Sequence, residues 1–223
     1  VNWYGTLRYC GLKMSGLGEK LTVGERNAGN HVRHCLVEQG GNAMVAVSEQ
    51  ADSSVAYCHI RDGGMACKDV SLVYTQHPST MGTRFHHNWV HGCHTPHIAL
   101  GIRGDDQTRG LTVDHNVVWD CAWEGILMKG DGNRIAHNTC FDNGTGEEAP
   151  VKQADLLLFD RAEPRKPWRD GQAPLLQMQN ANSVVIRNAM VRMVSGRKGR
   201  GKEKLPGRVE GNVIGDIKPM LVD

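Results

Sequence analysis

The sequence is poor in aromatic residues, which make up 5% of its 223 residues, while apolar residues make up 39%. This composition disfavours one large rounded core, although it is sufficient for a narrow one. No apolar run reaches the ~18 residues that a membrane-spanning helix needs, so we expect no membrane span. The net charge of +2 gives no strong general attraction to polyanions, and we do not expect a nucleic-acid partner.

The cysteines are odd in number and lack the close spacing of a metal-binding pair. Seven cysteines cannot form a complete set of disulfides, and no Cys-x-x-Cys sequence is present to bind a metal. We therefore expect small buried thiols, which pack well in a narrow core. Cys93 and Cys121 follow equivalent positions of the repeat described below, so we expect them to stack, with a disulfide between them as the alternative.

The chain also has no recognisable signal peptide, and it begins and ends within repeat units. We expect it to be a mature or truncated part of a longer protein that is secreted, periplasmic or on the cell surface. The sequence leaves the oligomeric state open.

What the sequence does contain is a repeated pattern of an apolar residue, two variable residues, Asn or Cys, one variable residue and a second apolar residue. The eight Asn or Cys positions, which we call the ladder positions, are Cys10, Cys35, Cys58, Asn88, Asn116, Asn138, Asn188 and Asn212. Neighbouring ladder positions are 22 to 30 residues apart, except for one gap of 50. A period of this length indicates a solenoid.

The segments around the ladder positions alternate apolar and polar residues, as β-strands do. The 27 glycines argue against helical repeats, and the longer pattern of leucine-rich repeats is absent. We predict an all-β fold, a single right-handed, single-stranded parallel β-helix over residues 1–223 with about 8–9 coils. An inward-turned Asn at each bend would hydrogen-bond to its equivalent in the next coil.

Two segments interrupt the period. The gap of 50 residues is either two coils or one coil with an insertion around residues 144–175, and residues 154–160 have the pattern of a strand of an extra coil. Residues 195–204 are rich in Gly, Lys and Arg, which indicates a solvated loop, with a basic finger that contacts an acidic polymer as the alternative.

Two neighbouring coils each contain a Gly-Ile pair, and aligning these pairs places Asp105 beside Lys129 on adjacent strands. One interpretation is an exposed salt bridge of little energetic value. The other is a catalytic base. A lysine accepts a proton only when it is neutral, and an adjacent carboxylate favours its charged form, so a base would need a nearby cation such as calcium or Arg103.

A family resemblance enters at the same lysine. The segment Lys129-Gly-Asp-Gly-Asn133-Arg-Ile-Ala-His-Asn138-Thr139 resembles the Lys-Ser-x-x-Asn-x-x-x-x-Asn-Thr motif of the β-helical polysaccharide lyases that include chondroitinase B and some alginate lyases. Gly130 stands where this family has Ser, and Ala122 stands at its second calcium glutamate. More loosely, the surrounding coils resemble a broad class of exported bacterial β-helix proteins.

The resemblance implies cleavage of an acidic polysaccharide by β-elimination. Lys129 would be the base, Glu124 and Asp105 would hold calcium, and Arg103 or Arg161 would contact carboxylates. The residues expected to contact the substrate are Asp105, Asp106, His94, His97 and Trp123.

Histidines form a second candidate group. His87, His115 and His137 each precede a ladder Asn, so we expect their rings to stack on successive coils, and His34 has the same position before Cys35. Three others, His91, His94 and His97, lie close together in the sequence and could bind a transition metal, act as a base or contact a substrate.

Two other functions remain open. A glycoside hydrolase would use clustered carboxylates on adjacent coils, for which Asp105, Asp106, Asp120 and Glu124 are available. A non-catalytic carbohydrate-binding or adhesin module would instead stack exposed aromatic rings on sugars, for which Trp89, Trp119 and Trp123 are available.

Overall fold

The computed structural model of the protein describes residues 12–15, 28–48, 50–160, 179–196 and 205–221. Within these ranges lie 21 short strands and two 3-10 turns, Pro78–Thr80 and Lys218–Met220, and no α-helix. All strand pairing is parallel and produces three sheets of seven strands, with one strand from each coil in each sheet. The predicted parallel β-helix is confirmed.

The strands follow one another around the coil in a fixed order of sheets. The first sheet contains β1 (Leu12–Ser15), β4 (Val45–Ser48), β7 (Asp69–Thr75), β10 (Ile98–Gly104), β13 (Ile126–Met128), β16 (Leu156–Phe159) and β19 (Met193–Gly196). The second contains β2 (His31–Arg33), β5 (Ser54–Ala56), β8 (Arg84–His86), β11 (Thr112–Asp114), β14 (Arg134–Ala136), β17 (Val184–Ile186) and β20 (Arg208–Glu210). The third contains β3 (Leu36–Gly40), β6 (His59–Gly63), β9 (Trp89–Cys93), β12 (Val117–Cys121), β15 (Thr139–Phe141), β18 (Ala189–Met190) and β21 (Val213–Ile214).

Seven coils lie within the described residues, and the repeat around Cys10 falls outside them. No helix in the described ranges is long and apolar enough to span a bilayer.

The core is a column of inward-facing side chains between the three sheets. In the second sheet, Val55, Phe85, Val113, Ile135 and Val185 pair in register, and each is 0% exposed. One side chain per strand is enough to fill this narrow interior, because successive residues of a strand point to opposite faces. A composition with few aromatic residues is therefore compatible with a continuous core.

The predicted Asn ladder is present at the bend between the second and third sheets. The side-chain amide of Asn88 donates to Asn116 Oδ1 at 2.9 Å, and the same contact links Asn116, Asn138, Asn188 and Asn212 at 2.9 to 3.0 Å. Each Asn Oδ1 also accepts a hydrogen bond from a backbone N–H of the preceding coil. The ladder thereby satisfies buried backbone groups that the bend removes from the sheets.

The ladder decides between the two interpretations of the 50-residue gap. Asn138 bonds directly to Asn188, and β14 and β15 pair directly with β17 and β18. The coils of Asn138 and Asn188 are therefore direct neighbours. The predicted strand exists as β16, but the expectation of an extra coil is wrong. Residues 161–178 of the insertion and 197–204 of the basic loop lie outside the described residues.

The residue before each ladder position from Cys35 onward has a left-handed backbone. His34, Tyr57, His87, His115 and His137 have φ values of 52° to 56°, a region in which histidine is more common than most residues. Their rings stack at centroid distances of 4.7 to 5.1 Å, which confirms the predicted histidine column. Tyr57 fills the place between His34 and His87, which the sequence analysis did not assign.

Cys93 and Cys121 pair in register on the third sheet, as expected, and both are fully buried. Both are free thiols, so the alternative of a disulfide is wrong for this structure. Burial raises the pKa of Cys93 to about 12, which keeps it an unreactive thiol.

Candidate functional site

The strongest candidate site lies on the outer face of the first sheet, where β10 and β13 end. Ile102 pairs with Ile126, and the Lys129 backbone N–H donates to Gly104 O at 2.7 Å, so Asp105 and Lys129 follow adjacent strands at the same level. The predicted juxtaposition is confirmed: Lys129 Nζ lies 2.6 Å from Asp105 Oδ1. The Gly-Ile alignment therefore identifies the correct register.

Arg103 completes this group, which we call the Arg103–Asp105–Lys129 triad. Its Nη2 lies 2.6 Å from Asp105 Oδ2, so the two cations contact different oxygens of one carboxylate. The side chains of Arg103 and Asp105 are each 10% exposed, and that of Lys129 is 14% exposed. This degree of burial is incompatible with the exposed salt bridge that the sequence allowed.

The triad also fixes the ionisation of its carboxylate. Burial acts to raise the pKa of Asp105, but the charges of Arg103 and Lys129 outweigh it and hold that pKa below its usual value. Asp105 is therefore a carboxylate shared between two cations. Asp106, predicted to contact substrate, lies farther away, with its Oδ1 3.8 Å from Lys129 Nζ.

Strand β7 supplies neighbours that the sequence analysis missed. Tyr74 pairs with Arg103, and its hydroxyl lies 3.3 Å from Asp105 Oδ2 and 2.5 Å from Gln76 Oε1. Burial, and then the charge of Asp105, raise the pKa of Tyr74, which keeps the phenol protonated as a donor. Asp69 lies 2.5 Å from Arg103 Nη1, and its side chain is 60% exposed. Asp69 thus marks the solvent-accessible edge of the triad.

Glu124 lies two residues before β13, whereas Lys129 directly follows that strand. Its side chain is buried, the residue is 1% exposed, and neither carboxylate oxygen has a hydrogen-bond partner. Burial raises the pKa of Glu124 to about 7, although Arg103 and Lys129 offset part of the effect.

This raised pKa predicts a pH-dependent stability. A carboxyl group that binds its proton more tightly in the folded state stabilises the fold below its unfolded pKa of 4.5 and loses that stabilisation as pH rises through about 7. We expect Glu124→Gln to raise the unfolding free energy at pH 8 by about 3 kcal/mol and to change it little at pH 4.5. Denaturant unfolding at both pH values measures this.

Exposed Glu147→Gln is the matched control and should have no effect at either pH. An equal change in stability at pH 4.5 and pH 8 for Glu124→Gln would contradict the assignment of a raised pKa.

The calcium ligands expected from the sequence are Glu124 and Asp105. Calcium requires 6–8 oxygen ligands at about 2.3–2.6 Å. The Asp105 carboxylate already contacts Lys129 and Arg103. No three His, Cys, Asp or Glu side chains converge as metal ligands in the described ranges. The unpartnered Glu124 carboxylate alone does not meet this requirement.

The remaining predicted site residues have contacts of their own. His97 precedes β10 and Trp123 precedes β13, and the centroids of their rings are 5.4 Å apart. His94 pairs with Asp120, with Nε2 3.1 Å from Oδ2. Arg161 lies outside the described residues.

The histidines proposed as metal ligands are also divided among different partners. His91 Nε2 lies 2.8 Å from His59 Nε2, whereas His94 and His97 contact Asp120 and Trp123. These contacts give no common centre for the three side chains.

The outer face of the third sheet carries a row of aromatic rings. Trp119 stacks on His91 at 4.0 Å and on Phe141 at 5.9 Å, with interplanar angles of 13° and 7°. Trp89 is 59% exposed, and its ring contacts His59 edge-on. Two of the three tryptophans proposed for sugar stacking therefore share this face, while Trp123 lies elsewhere.

Comparison of the chain with protein-family models, with curated proteins and with solved structures gives no match in any of the three.

Proposed function

We propose that the protein is a carbohydrate-active parallel β-helix that cleaves an acidic polysaccharide containing uronic acid by β-elimination, with Lys129 as the base. The observation that carries this proposal is the contact of Lys129 and Arg103 with opposite oxygens of Asp105. A lysine beside a carboxylate is favoured as an ammonium unless a second cation shares that carboxylate. Arg103 is such a cation and belongs to the protein itself.

The proposed chemistry uses Lys129 as a neutral amine and Arg103 as a cation. Lys129 Nζ takes the proton α to the uronate carboxylate, and the electrons of that C–H bond form a carbon–carbon double bond to the β-carbon. The bond from the β-carbon to the glycosidic oxygen breaks, and its electrons leave on the oxygen. The departing oxygen takes a proton from water and leaves as an alcohol. Arg103 stabilises the negative charge that develops on the substrate carboxylate.

Access to Arg103 requires an exchange of partners, because its side chain is only 10% exposed. Asp69 contacts Nη1 at the exposed edge, while Asp105 contacts Nη2 on the buried side. A substrate carboxylate would therefore replace Asp69 and leave the buried pair intact. A substrate of this class is consistent with the expected secreted, periplasmic or cell-surface location.

The function is tested by incubating the protein with polygalacturonate, alginate, chondroitin sulfate and hyaluronan. Elimination produces an unsaturated uronide with new ultraviolet absorbance, and this is the expected result for at least one polymer. New reducing ends without that absorbance would show a hydrolase and overturn the proposal. Repeating a positive reaction with a chelator tests whether calcium takes part.

A second candidate function is carbohydrate binding without cleavage, and the aromatic row of the third sheet favours it. The stacked rings of His91, Trp119 and Phe141 form a flat apolar strip of the kind that sugar rings cover. If the protein binds a polymer but produces neither unsaturated uronide nor new reducing ends, carbohydrate binding is its function.

A further inference from the structure

The outer face of the second sheet and the turn after it carry far more basic than acidic groups, although the whole chain has a net charge of only +2. Their arginines are Arg33, Arg84, Arg134, Arg187 and Arg208, and their carboxylates are Asp114 and Glu210. The histidine column borders the same face. Positive charge is therefore concentrated on one of the three sheets.

An open cleft of about 340 Å³ lies in the middle of this face. It is lined by Arg84, Thr112, Asp114, His115, Arg134, Ala136 and His137. Strands β8, β11 and β14 build it, because Arg84, Thr112 and Arg134 pair in register and form one row across its floor. The cleft lies on a different sheet from Lys129.

One side of the cleft is internally neutralised. Arg84 donates to both oxygens of Asp114, with Nε 2.6 Å from Oδ1, and His115 Nδ1 lies 2.6 Å from Oδ2. The Asp114 side chain is 4% exposed. These contacts hold the row in place and satisfy the only carboxylate that lines the cleft.

The other side is not neutralised. Arg134 has no ion-pair partner among the described residues, and neither has Arg187, which follows β17 in the next coil. His137 belongs to the histidine column, and its ring stacks on His115 at 4.7 Å. Burial, and then the charges of His115, Arg187 and Arg134, lower the pKa of His137, which agrees with cations in its neighbourhood. Arg134 and His137 line this edge of the cleft, and Arg187 has the position equivalent to His137 in the next coil.

We propose that this edge is an oxyanion-binding subsite, in which Arg134, His137 and Arg187 hold a carboxylate or sulfate group of an acidic polysaccharide. Guanidinium groups bind such planar or tetrahedral oxyanions through charge-assisted hydrogen bonds. The subsite shares with the proposed function only the class of ligand. None of its residues belongs to the Arg103–Asp105–Lys129 triad.

The row of arginines on the second sheet is mostly neutralised, because Arg84 pairs with Asp114 and Arg208 pairs with Glu210. Arg134 is the member of this row without an ion-pair partner among the described residues. Such an isolated cation suits a sparsely charged polymer, for example a polysaccharide with one anionic group per disaccharide. Duplex DNA carries a charge every ~1.7 Å of its axis, a much denser array. The ligand expected here is therefore a glycan and not a nucleic acid.

The test measures binding of fluorescent hyaluronan oligosaccharides to the full chain at low salt. Arg134→Gln should weaken binding by about tenfold or more, the value of one charge-assisted hydrogen bond. Exposed Arg109→Gln removes the same charge outside the cleft and should change affinity less than twofold. The His137 ring lies on a different sheet from Lys129, so its response to ligand separates this inference from the proposed reaction.

Titration of the His137 ring by NMR supplies a readout that a general charge effect would not move. The ring faces Arg134 on β14, Arg187 after β17, and Asp114 and His115 from β11 and its turn. Bound oligosaccharide should raise its pKa, and this rise should disappear in Arg134→Gln. Equal losses of affinity in Arg134→Gln and Arg109→Gln, an unchanged His137 titration, or tighter binding of a single-stranded oligonucleotide would each overturn the inference.

Discussion

Lys129→Ala is expected to lower the rate of unsaturated-uronide formation by about 100- to 10,000-fold, the range that a positioned general base contributes. The expected cause is the loss of the group that takes the α-proton. Arg103 keeps its contact with Asp105 in this variant, so the carboxylate is not left without a cation. Initial rates from ultraviolet absorbance, with circular dichroism as the check on folding, measure the effect.

Two further variants separate proton transfer from charge. Lys129→Arg keeps a cation near Asp105 but replaces the amine with a group that stays protonated, so it should be as inactive as Lys129→Ala. Lys129→Met keeps the aliphatic chain near the Phe159 ring, which lies 4.9 Å from Nζ, and should be inactive but well folded. Lys218→Ala, at an exposed ion pair with Asp142, should retain full activity.

Wild-type rates in Lys129→Arg would show that the position supplies charge and not a base. Full activity in Lys129→Ala would remove the lysine from the reaction altogether, and the site would then have to be sought on another face.

The contact between Asp105 and Lys129 could be predicted because the sequence marks the register twice. The ladder positions show which segments are equivalent, and the Gly-Ile pairs at Gly101 and Gly125 show which residues of the first sheet are level. The neighbours on β7 carry no such mark, since Leu72 and Val73 stand where the pair would be. The turns between a ladder position and the next strand of the first sheet differ in length from coil to coil. The register of β7 therefore cannot be obtained by counting residues from the ladder, and Tyr74 was missed.

Closeness along the chain is a weak guide to a common site in this fold. Each residue of an extended strand adds about 3.3 Å between backbone positions. Residues close together in a β-helix are those one coil apart, as Arg103 and Tyr74 are, 29 positions from each other. Short sequence separation predicts a common site in a loop but not along a strand.

The ladder itself yields the largest expected loss of stability, in Asn138→Ala. Asn138 Nδ2 donates to Val113 O and to Asn188 Oδ1, and its Oδ1 accepts from the backbone and side-chain N–H groups of Asn116, at 2.9 to 3.0 Å. Alanine removes all four bonds and takes a partner from buried groups on the two neighbouring coils. We expect the unfolding free energy to fall by about 3–5 kcal/mol.

Asn212→Ala is the matched control, since Asn212 makes the same contacts toward Asn188 and Val185 but is only partly buried. Water can replace its side chain, so the loss there should be about 1–2 kcal/mol. Urea unfolding followed by circular dichroism gives both values. Each coil of a solenoid is stabilised by its two neighbours, so a defect at Asn138 weakens two interfaces between coils. Equal losses of unfolding free energy in the two variants would contradict this prediction. They would show that the contribution of a ladder Asn does not depend on its burial.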